Sequence, residues 1–178
     1  MKKSILSLLI CSTLFSCTKE TVLPTQTQAI ASSVSQENEL AAAPVVTFKT
    51  SVQETKYVSQ GLNTLQTDSF SVSGGTAYLV KLIFTTSGTP NLSKFKFYVN
   101  GGEVRSTITF SNDTVTVALN KALPLISGAY NYILQAKTFG APGSAFTIAL
   151  SNATIVDSKR FSVEVLNLPG VIDSLILR

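Results

Sequence analysis

Apolar and polar residues alternate along many short stretches of the chain from residue 45 to its end. The stretch DTVTVAL, for example, places Val115, Val117 and Leu119 on one side and threonines on the other. Alternation with a period of two predicts half-buried β-strands. The same pattern predicts inward faces at Tyr78, Val80, Leu82 and Phe84, at Phe95, Phe97 and Val99, at Tyr130, Tyr132 and Leu134, at Phe146, Ile148 and Leu150, and at Phe161, Val163 and Val165.

Turn-forming residues separate these predicted strands. Asn100-Gly101-Gly102 lies between two alternating runs and predicts a hairpin turn with positive φ. Clusters of Ser, Asn, Asp and Gly predict further turns at 73–75, 111–113, 127–128 and 140–143. About ten strands in succession, without a competing helical period, predict an all-β domain over residues 45–178 with the architecture of an antiparallel β-sandwich. Residues 45–59 are a candidate edge strand of that domain.

The N-terminal segment has a different pattern of charged and apolar residues. Lys2 and Lys3 precede an apolar run from Ile5 to Phe15. A bilayer-spanning helix needs about 20 apolar residues, and this run is much shorter. A positive start followed by a short apolar core predicts a signal peptide over residues 1–16.

The end of this segment carries a more specific motif. Leu14-Phe15-Ser16-Cys17 resembles the lipobox of bacterial lipoproteins. The resemblance implies cleavage before Cys17 and attachment of acyl chains such as palmitate to that cysteine. Two or more chains hold a protein stably on a membrane, so the folded domain itself need not enter the lipid. The alternative is an ordinary secretory signal that happens to contain a cysteine.

Residues 17–44 connect the expected anchor to the domain. The segment is rich in Thr, Gln, Ser, Ala and Glu and has no periodic large apolar residues. Such a composition predicts a disordered tether with a root-mean-square span of roughly 30 Å. The stretch SQENELAAA, residues 35–43, contains good helix formers, and a short helix there is the alternative.

The composition narrows the chemistry of the domain. The chain has no His, and its 2 Cys residues are Cys11 and Cys17, so the domain itself has no thiol, no disulfide and none of the usual zinc or copper ligands. From Cys17 onward the side chains carry 12 positive and 10 negative charges, scattered along the chain. That balance does not favour nucleic acid as a partner. We therefore expect no metal and no cofactor.

Catalytic motifs are missing from the sequence. Without His, a serine nucleophile lacks its usual base. The acids beyond residue 44 are isolated in sequence and mostly adjoin predicted turns, which predicts a solvated surface rather than a catalytic carboxylate pair or a calcium site; they are Glu54, Asp68, Glu103, Asp113, Asp157, Glu164 and Asp173. A hydrolase remains a distant third hypothesis.

The middle of the chain resembles Ig-like β-sandwich modules of bacterial S-layer and adhesin-type surface proteins. The resemblance rests on Leu92-Ser93 before Phe95, Phe97 and Tyr98, on the hairpin Gly101-Gly102, and on Ile126-Ser127-Gly128 before another strand. It implies a stalk, a spacer or a ligand-presenting module rather than an enzyme.

One candidate ligand site lies on the polar side of the predicted strand whose apolar side is formed by Phe95, Phe97 and Val99. Tyr98 falls on the same side as Lys94 and Lys96, whereas Tyr78, Tyr130 and Tyr132 are expected in the core. An exposed tyrosine beside two lysines suits a sugar or an acidic ligand. The alternative is a tyrosine that packs at a sheet edge under the lysine stems.

The lipobox followed by a polar Ser/Thr-rich segment also resembles lipoproteins of Bacteroidota. Asp113-Thr114-Val115 and Asp173-Ser174-Leu175 resemble the O-glycosylation signal of that phylum, which implies glycans on Thr114 or Ser174. The alternative is a turn aspartate followed by a strand residue.

Together these features predict a non-enzymatic lipoprotein of the bacterial outer membrane. Its β-sandwich is expected to serve adhesion, scaffolding or assembly at the cell surface, with a periplasmic orientation as the second option. Its expected partners are the membrane, through the N-terminal lipid, and other envelope proteins or surface glycans. The alternative function is a glycan- or small-ligand-binding accessory lipoprotein of an outer-membrane uptake system.

Overall fold

A computed structural model describes residues 42–49, 54–88, 90–170 and 172–178. Within these ranges the regular structure consists of β-strands, with no helix and hence none that could cross a membrane. The strands are β1 Val45–Phe48, β2 Thr55–Val58, β3 Gly61–Ser73, β4 Ala77–Gly88, β5 Asn91–Val99, β6 Gly102–Glu103, β7 Ser106–Ser111, β8 Thr114–Leu125, β9 Gly128–Phe139, β10 Ala145–Val156, β11 Glu164–Leu166 and β12 Ile172–Leu177. The predicted signal peptide, Cys17 and the tether as far as residue 41 lie outside the described residues.

The strands form two sheets of six, which pack face to face as a sandwich. Sheet A has the order β11-β1-β3-β9-β5-β6, and sheet B has the order β2-β12-β10-β4-β8-β7. The predicted all-β sandwich is therefore confirmed. Most neighbouring strands are antiparallel, but β1 pairs with β11 and β12 pairs with β2 in parallel. Residues 45–59 contain two strands, of which β2 is an edge strand and β1 is not.

Most of the predicted inward faces form the core. The alternation in β8, β9 and β10 is confirmed, because the following residues are buried between the sheets: Val115, Val117, Leu119, Tyr132, Leu134, Phe146, Ile148 and Leu150. Phe97 and Val99 of β5 join them. Burial of such side chains supplies the main favourable free energy of folding, roughly 1.5–3 kcal/mol for each large one.

Tyr132 of β9 lies at the centre of this core. Its ring centroid is 6.4 Å from that of Phe48 and 6.3 Å from that of Phe97, both in sheet A, and 6.0 Å from that of Phe84 in sheet B. These distances are within the range of favourable aromatic pairs. One side chain thus joins the two sheets.

The predicted hairpin turns are also confirmed. Asn100 and Gly101, between β5 and β6, have φ values of 49° and 77°. Asn112 and Asp113, between β7 and β8, have φ values of 50° and 58°. Two consecutive residues with positive φ match the twist of the flanking strands, which explains the use of Asn, Asp and Gly.

The predicted face of β4 is wrong at its start. Leu82 and Phe84 point into the core, but Ala77 and Leu79 replace Tyr78 and Val80 as the inward residues. The cause is a β-bulge at Val80, which has no partner in the register of β4 with either β10 or β8. An extra residue reverses the side to which the preceding residues point.

The prediction is also wrong for Phe161, which is 68% exposed and precedes the short strand β11. The segment from Asp157 to Phe161 forms a tight turn instead of a strand. In this turn the Asp157 carboxylate oxygen Oδ1 accepts hydrogen bonds from the N–H groups of Lys159 and Phe161, at 2.8 and 2.9 Å. Local side-chain bonds of this kind compete with strand pairing.

The central position of Tyr132 leads to a prediction about stability. Tyr132→Ala is expected to lower the free energy of unfolding by about 3–5 kcal/mol, because it leaves a cavity between the sheets. Tyr132→Phe is expected to change it by less than about 1 kcal/mol, since the Tyr132 hydroxyl has no hydrogen-bond partner among the described residues. Urea unfolding of the full chain followed by circular dichroism measures both, and equal losses in the two variants would contradict this role for the ring.

Candidate functional site

The predicted Tyr98 site lies on the outer face of sheet A. Tyr98 is half-buried and is paired with Ile133 on β9 and with Glu103 on β6. Lys96 lies beside it, and its Nζ atom is 3.3 Å from Glu103 Oε2. The hydrogen bond and the charge of Glu103 raise the pKa of Lys96. Much of the positive charge expected for an acidic ligand is thus already neutralised within the sheet.

Lys94 stands apart from the other two residues. It has a φ of 51° and lies in a bulge, where Lys94 and Phe95 together face Ala136 of β9. The bulge turns Phe95 toward β7, where its ring centroid is 6.3 Å from that of Phe110. The structure therefore brings Lys96 and Tyr98 together on the regular part of β5 and places Lys94 at an irregularity. The Tyr98 site remains a prediction.

The two predicted glycosylation residues lie in different settings. Thr114 follows an exposed turn, and its hydroxyl donates a hydrogen bond of 3.2 Å to the carbonyl of Asn112. Ser174 is half-buried in β12, between β2 and β10, next to the buried Asp173. Of the two tripeptides, the one at Thr114 is the more accessible.

The prediction that all the acids are solvated is wrong for Asp68 and Asp173. They are 7% and 3% exposed and point between the sheets from β3 and β12. Asp173 Oδ2 lies 3.2 Å from Nζ of Lys56 on β2. A buried carboxylate requires such a partner, because its charge loses the stabilisation of water.

Burial raises the pKa of Asp173, whereas Lys56 acts in the opposite direction. The charges of Glu54 and Asp68 add to the upward shift. Burial, Asp68 and Asp173 also raise the pKa of Tyr132 well above its usual value, so this hydroxyl stays protonated. Asp68, Asp173 and the Tyr132 hydroxyl are buried, whereas a catalytic pair needs access to its substrate.

A cleft on the outer face of sheet B was not predicted from the sequence. We call it the Tyr78 cleft; it has a volume of about 510 Å³ and is lined by Tyr78, Asn120, Lys121, Asp157, Ser158 and Arg160. Its size is typical of a small-ligand site. The alternating pattern had assigned Tyr78 to the core, and the bulge at Val80 instead turns it outward into this cleft.

Both walls of the Tyr78 cleft come from irregular backbone. One wall is a protrusion of β8. Four residues of β8, 119–122, lie there opposite the single residue Val80 of β4. The other is the turn 157–160 after β10, in which Arg160 has a φ of 70°. A sequence signal for the turn was present in Asp-Ser-Lys-Arg, but none identified the protrusion.

In the described ranges, no group of three or more acidic side chains is arranged to hold a metal ion. Apart from Glu164, which is exposed on β11, the acids there are buried between the sheets, paired with lysines or located in turns. The Tyr78 cleft combines an aromatic ring, an amide and cationic groups, which suits binding rather than bond cleavage.

The sequence matches no protein-family model and no curated protein. Among solved structures it is similar to a non-cellulosomal cohesin from the archaeon Archaeoglobus fulgidus, with 10% identity and a TM-score of 0.44 over 77% of this chain and 92% of that chain. A cohesin of ScaC from Acetivibrio cellulolyticus, solved with the ScaB dockerin, has 7% identity and a TM-score of 0.43 over 75% and 99%. The N-terminal domain of the Streptococcus gordonii adhesin Sgo0707 has 15% identity and a TM-score of 0.32 over 76% of this chain and 32% of that chain. At these values the similarities carry no inference about activity or partners.

The raised pKa of Asp173 predicts a particular pH dependence of stability. The folded-state pKa lies above the unfolded value of about 3.9, so the contribution of this group is fully present below that value and is lost as the pH rises through the folded-state pKa. Asp173→Asn is therefore expected to become more stable relative to the parent chain as the pH rises from 3.5 to 7.5.

Lys56→Met provides the matched test, because it removes the cation that favours the charged form of Asp173. Its destabilisation is expected to be greater at pH 7.5 than at pH 3.5, where the carboxyl is protonated. Urea unfolding at both pH values measures the two effects. If the differences from the parent chain were independent of pH in both variants, the assignment of the shift to Asp173 would be wrong.

Proposed function

We propose that the chain is a lipid-anchored envelope protein whose β-sandwich serves assembly at the cell surface and catalyses no reaction. The observation that carries this proposal is the edge strand β7. At the four edges of the two sheets, β6, β11 and β2 have two, three and four residues, whereas β7 has six. β6 covers β5 only at Tyr98 and Val99, but the uncovered part of β5 is interrupted by the bulge at Lys94 and Phe95. A long edge strand presents unpaired backbone groups to another strand.

The sequence of β7 lacks the devices that usually protect an edge. Ser106–Ser111 reads STITFS, without Lys, Pro or acidic residues. The opposite edge of sheet B, β2, has such a device, because Lys56 is only partly exposed and pairs with the buried Asp173. Protection at one edge and its absence at the other favour β7 as the interaction surface.

The partner that fits β7 best is β7 of a second copy of the chain. Thr107 and Thr109 are exposed on one face, whereas Ile108 and Phe110 are half-buried on the other. An antiparallel pair centred on Thr109 places Thr107 opposite Ser111 and keeps the apolar residues on the inner face. Cross-strand pairs of Thr and Ser are favourable, and the arrangement has the two-fold symmetry usual for dimers.

The distribution of the acids supports a non-enzymatic role. Glu54 and Glu103 lie 3.6 and 3.3 Å from lysine Nζ atoms, Asp157 accepts two backbone hydrogen bonds, and Asp68 and Asp173 are sealed between the sheets. Glycoside hydrolysis requires two carboxylates that face one accessible cleft, and the Tyr78 cleft has only one acid in its lining, Asp157. The alternative of a glycan- or small-ligand-binding accessory protein is favoured by one feature, the Tyr78 cleft.

Introducing a charged residue at the centre of β7 tests the proposed assembly surface. Thr109→Lys is expected to weaken self-association of the full chain by about tenfold, equal to about 1.4 kcal/mol, because two lysines then lie opposite each other. Sedimentation in detergent measures the dissociation constant. Thr67→Lys makes the same change on the outer face of sheet A and is expected to leave association unchanged.

A mixture provides the sharper control. Thr109→Lys and Thr109→Glu chains are each expected to associate weakly, and their equimolar mixture is expected to associate as well as the parent chain. A parent chain that stays monomeric at every concentration, or a mixture no better than its components, would exclude this pairing.

The anchor is tested separately at Cys17. Cys17→Ser is expected to abolish incorporation of a labelled palmitate analogue and to move the protein from the membrane to the soluble fraction of cells. Cys11→Ser is expected to change neither result. Protease treatment of intact cells followed by blotting then distinguishes the cell surface from the periplasm. Retention of label in Cys17→Ser would refute the lipoprotein assignment without affecting the result at β7.

A further inference from the structure

The Tyr78 cleft adjoins two further concavities on the protein surface. It shares Asn120 and Lys121 with a neighbouring concavity of about 590 Å³ that reaches Arg105. It shares Tyr78 and Asp157 with another of about 650 Å³ that continues along the 74–76 turn. Because the three concavities have residues in common, they are adjacent, and a ligand made of several linked units could contact more than one of them.

The walls of the cleft are held in place before any ligand binds. The Asn120 side-chain oxygen accepts a hydrogen bond of 3.1 Å from the Thr107 hydroxyl, and the Asn120 N–H donates one of 3.1 Å to the carbonyl of Arg105. In the opposite turn, the Arg160 N–H donates to the carbonyl of Asp157 at 3.1 Å. Preorganised walls lower the entropic cost of binding.

The cleft contains one aromatic ring, that of Tyr78, two residues before the bulge in β4. Tyr78 is paired with Pro124 on β8 and with Val156 on β10, and it is half-buried between them. The side chain is therefore partly covered and partly accessible in the cleft. Such a ring provides a large apolar contact at low conformational cost.

The charge around Tyr78 is positive. Lys121 and Arg160 are exposed on the two walls, and neither forms an ion pair within the part of the chain that the structure describes. The one acid of the cleft, Asp157, accepts two backbone N–H groups with the same carboxylate oxygen, Oδ1. Two available cations on either side of one aromatic ring therefore favour an anionic ligand.

The neighbouring strands make a peptide a poor candidate. β10 lies between β4 and β12, and β8 lies between β4 and β7 as far as Leu119, so a peptide backbone could add only to the part of β8 beyond Leu119. That part is short and contains Pro124, which has no N–H to donate. A sugar needs no such edge, because its ring packs on an aromatic face and its carboxylate pairs with cations.

We infer that the Tyr78 cleft binds an acidic oligosaccharide, with a sugar ring on Tyr78 and a uronate carboxylate between Lys121 and Arg160. The amide of Asn120 is positioned to bind ring hydroxyl groups. This site is distinct from the Tyr98 site on the other sheet, and its residues lie outside the proposed β7 pair.

The test is titration of the full chain, purified in detergent, with trigalacturonate. Saturable binding is expected, weakened as the salt concentration rises, with neutral maltotriose and triglutamate at least tenfold weaker. Lys121→Gln combined with Arg160→Gln is expected to reduce affinity for trigalacturonate about tenfold or more. The matched control, Lys49→Gln combined with Lys137→Gln, also removes two positive charges and is expected to bind as the parent chain does.

Two variants of Tyr78 separate the ring from its hydroxyl. Tyr78→Phe keeps the ring and is expected to bind within about twofold of the parent, whereas Tyr78→Leu is expected to lose about tenfold. Circular dichroism melting of each variant establishes that it is folded. Absence of saturable binding, equal losses in the two double variants, or equal binding of triglutamate and trigalacturonate would each overturn the inference.

Discussion

The packing of one aromatic side chain against both sheets is the constraint on which the rest of the structure depends. Tyr132 contacts Phe48 and Phe97 from its own sheet and Phe84 from the other. No disulfide can link the sheets, since both cysteines of the chain precede residue 18. Burial of apolar side chains must therefore hold the sandwich together, and these rings bury the largest areas.

The requirement for a continuous core explains why the irregular backbone lies where it does. Strands that supply Val117 or Leu134 must keep a strict alternation, because a shift of one residue would expose their apolar side chains. Extra residues are accommodated as bulges, at Val80 and at Lys94 for example. The bulge at Val80 turns Tyr78 away from the core, and this side chain then lines the cleft on sheet B.

The difference between regular and irregular strands also sets what the sequence could predict. The buried face of β8 could be predicted from the local sequence pattern alone, since Val115 and Leu119 alternate with polar residues. The outward orientation of Tyr78 did not, because a bulge depends on the registers of two neighbouring strands that are distant in sequence. Burial of Asp173 was missed for a similar reason: its partner Lys56 lies on another strand.

The two proposed surfaces are linked through one residue of β8. Asn120 belongs to the wall of the Tyr78 cleft, and its side chain and backbone bond to Thr107 of β7 and to Arg105 just before that strand. A second chain paired with β7 would restrict the motion of β7, to which Asn120 is bonded. A ligand in the cleft would restrict the motion of Asn120 itself. Contacts that restrain the same segment are thermodynamically coupled, and the coupling acts equally in both directions. Asn120 therefore connects the two proposed surfaces, the one for self-assembly through β7 and the one for ligand binding in the Tyr78 cleft.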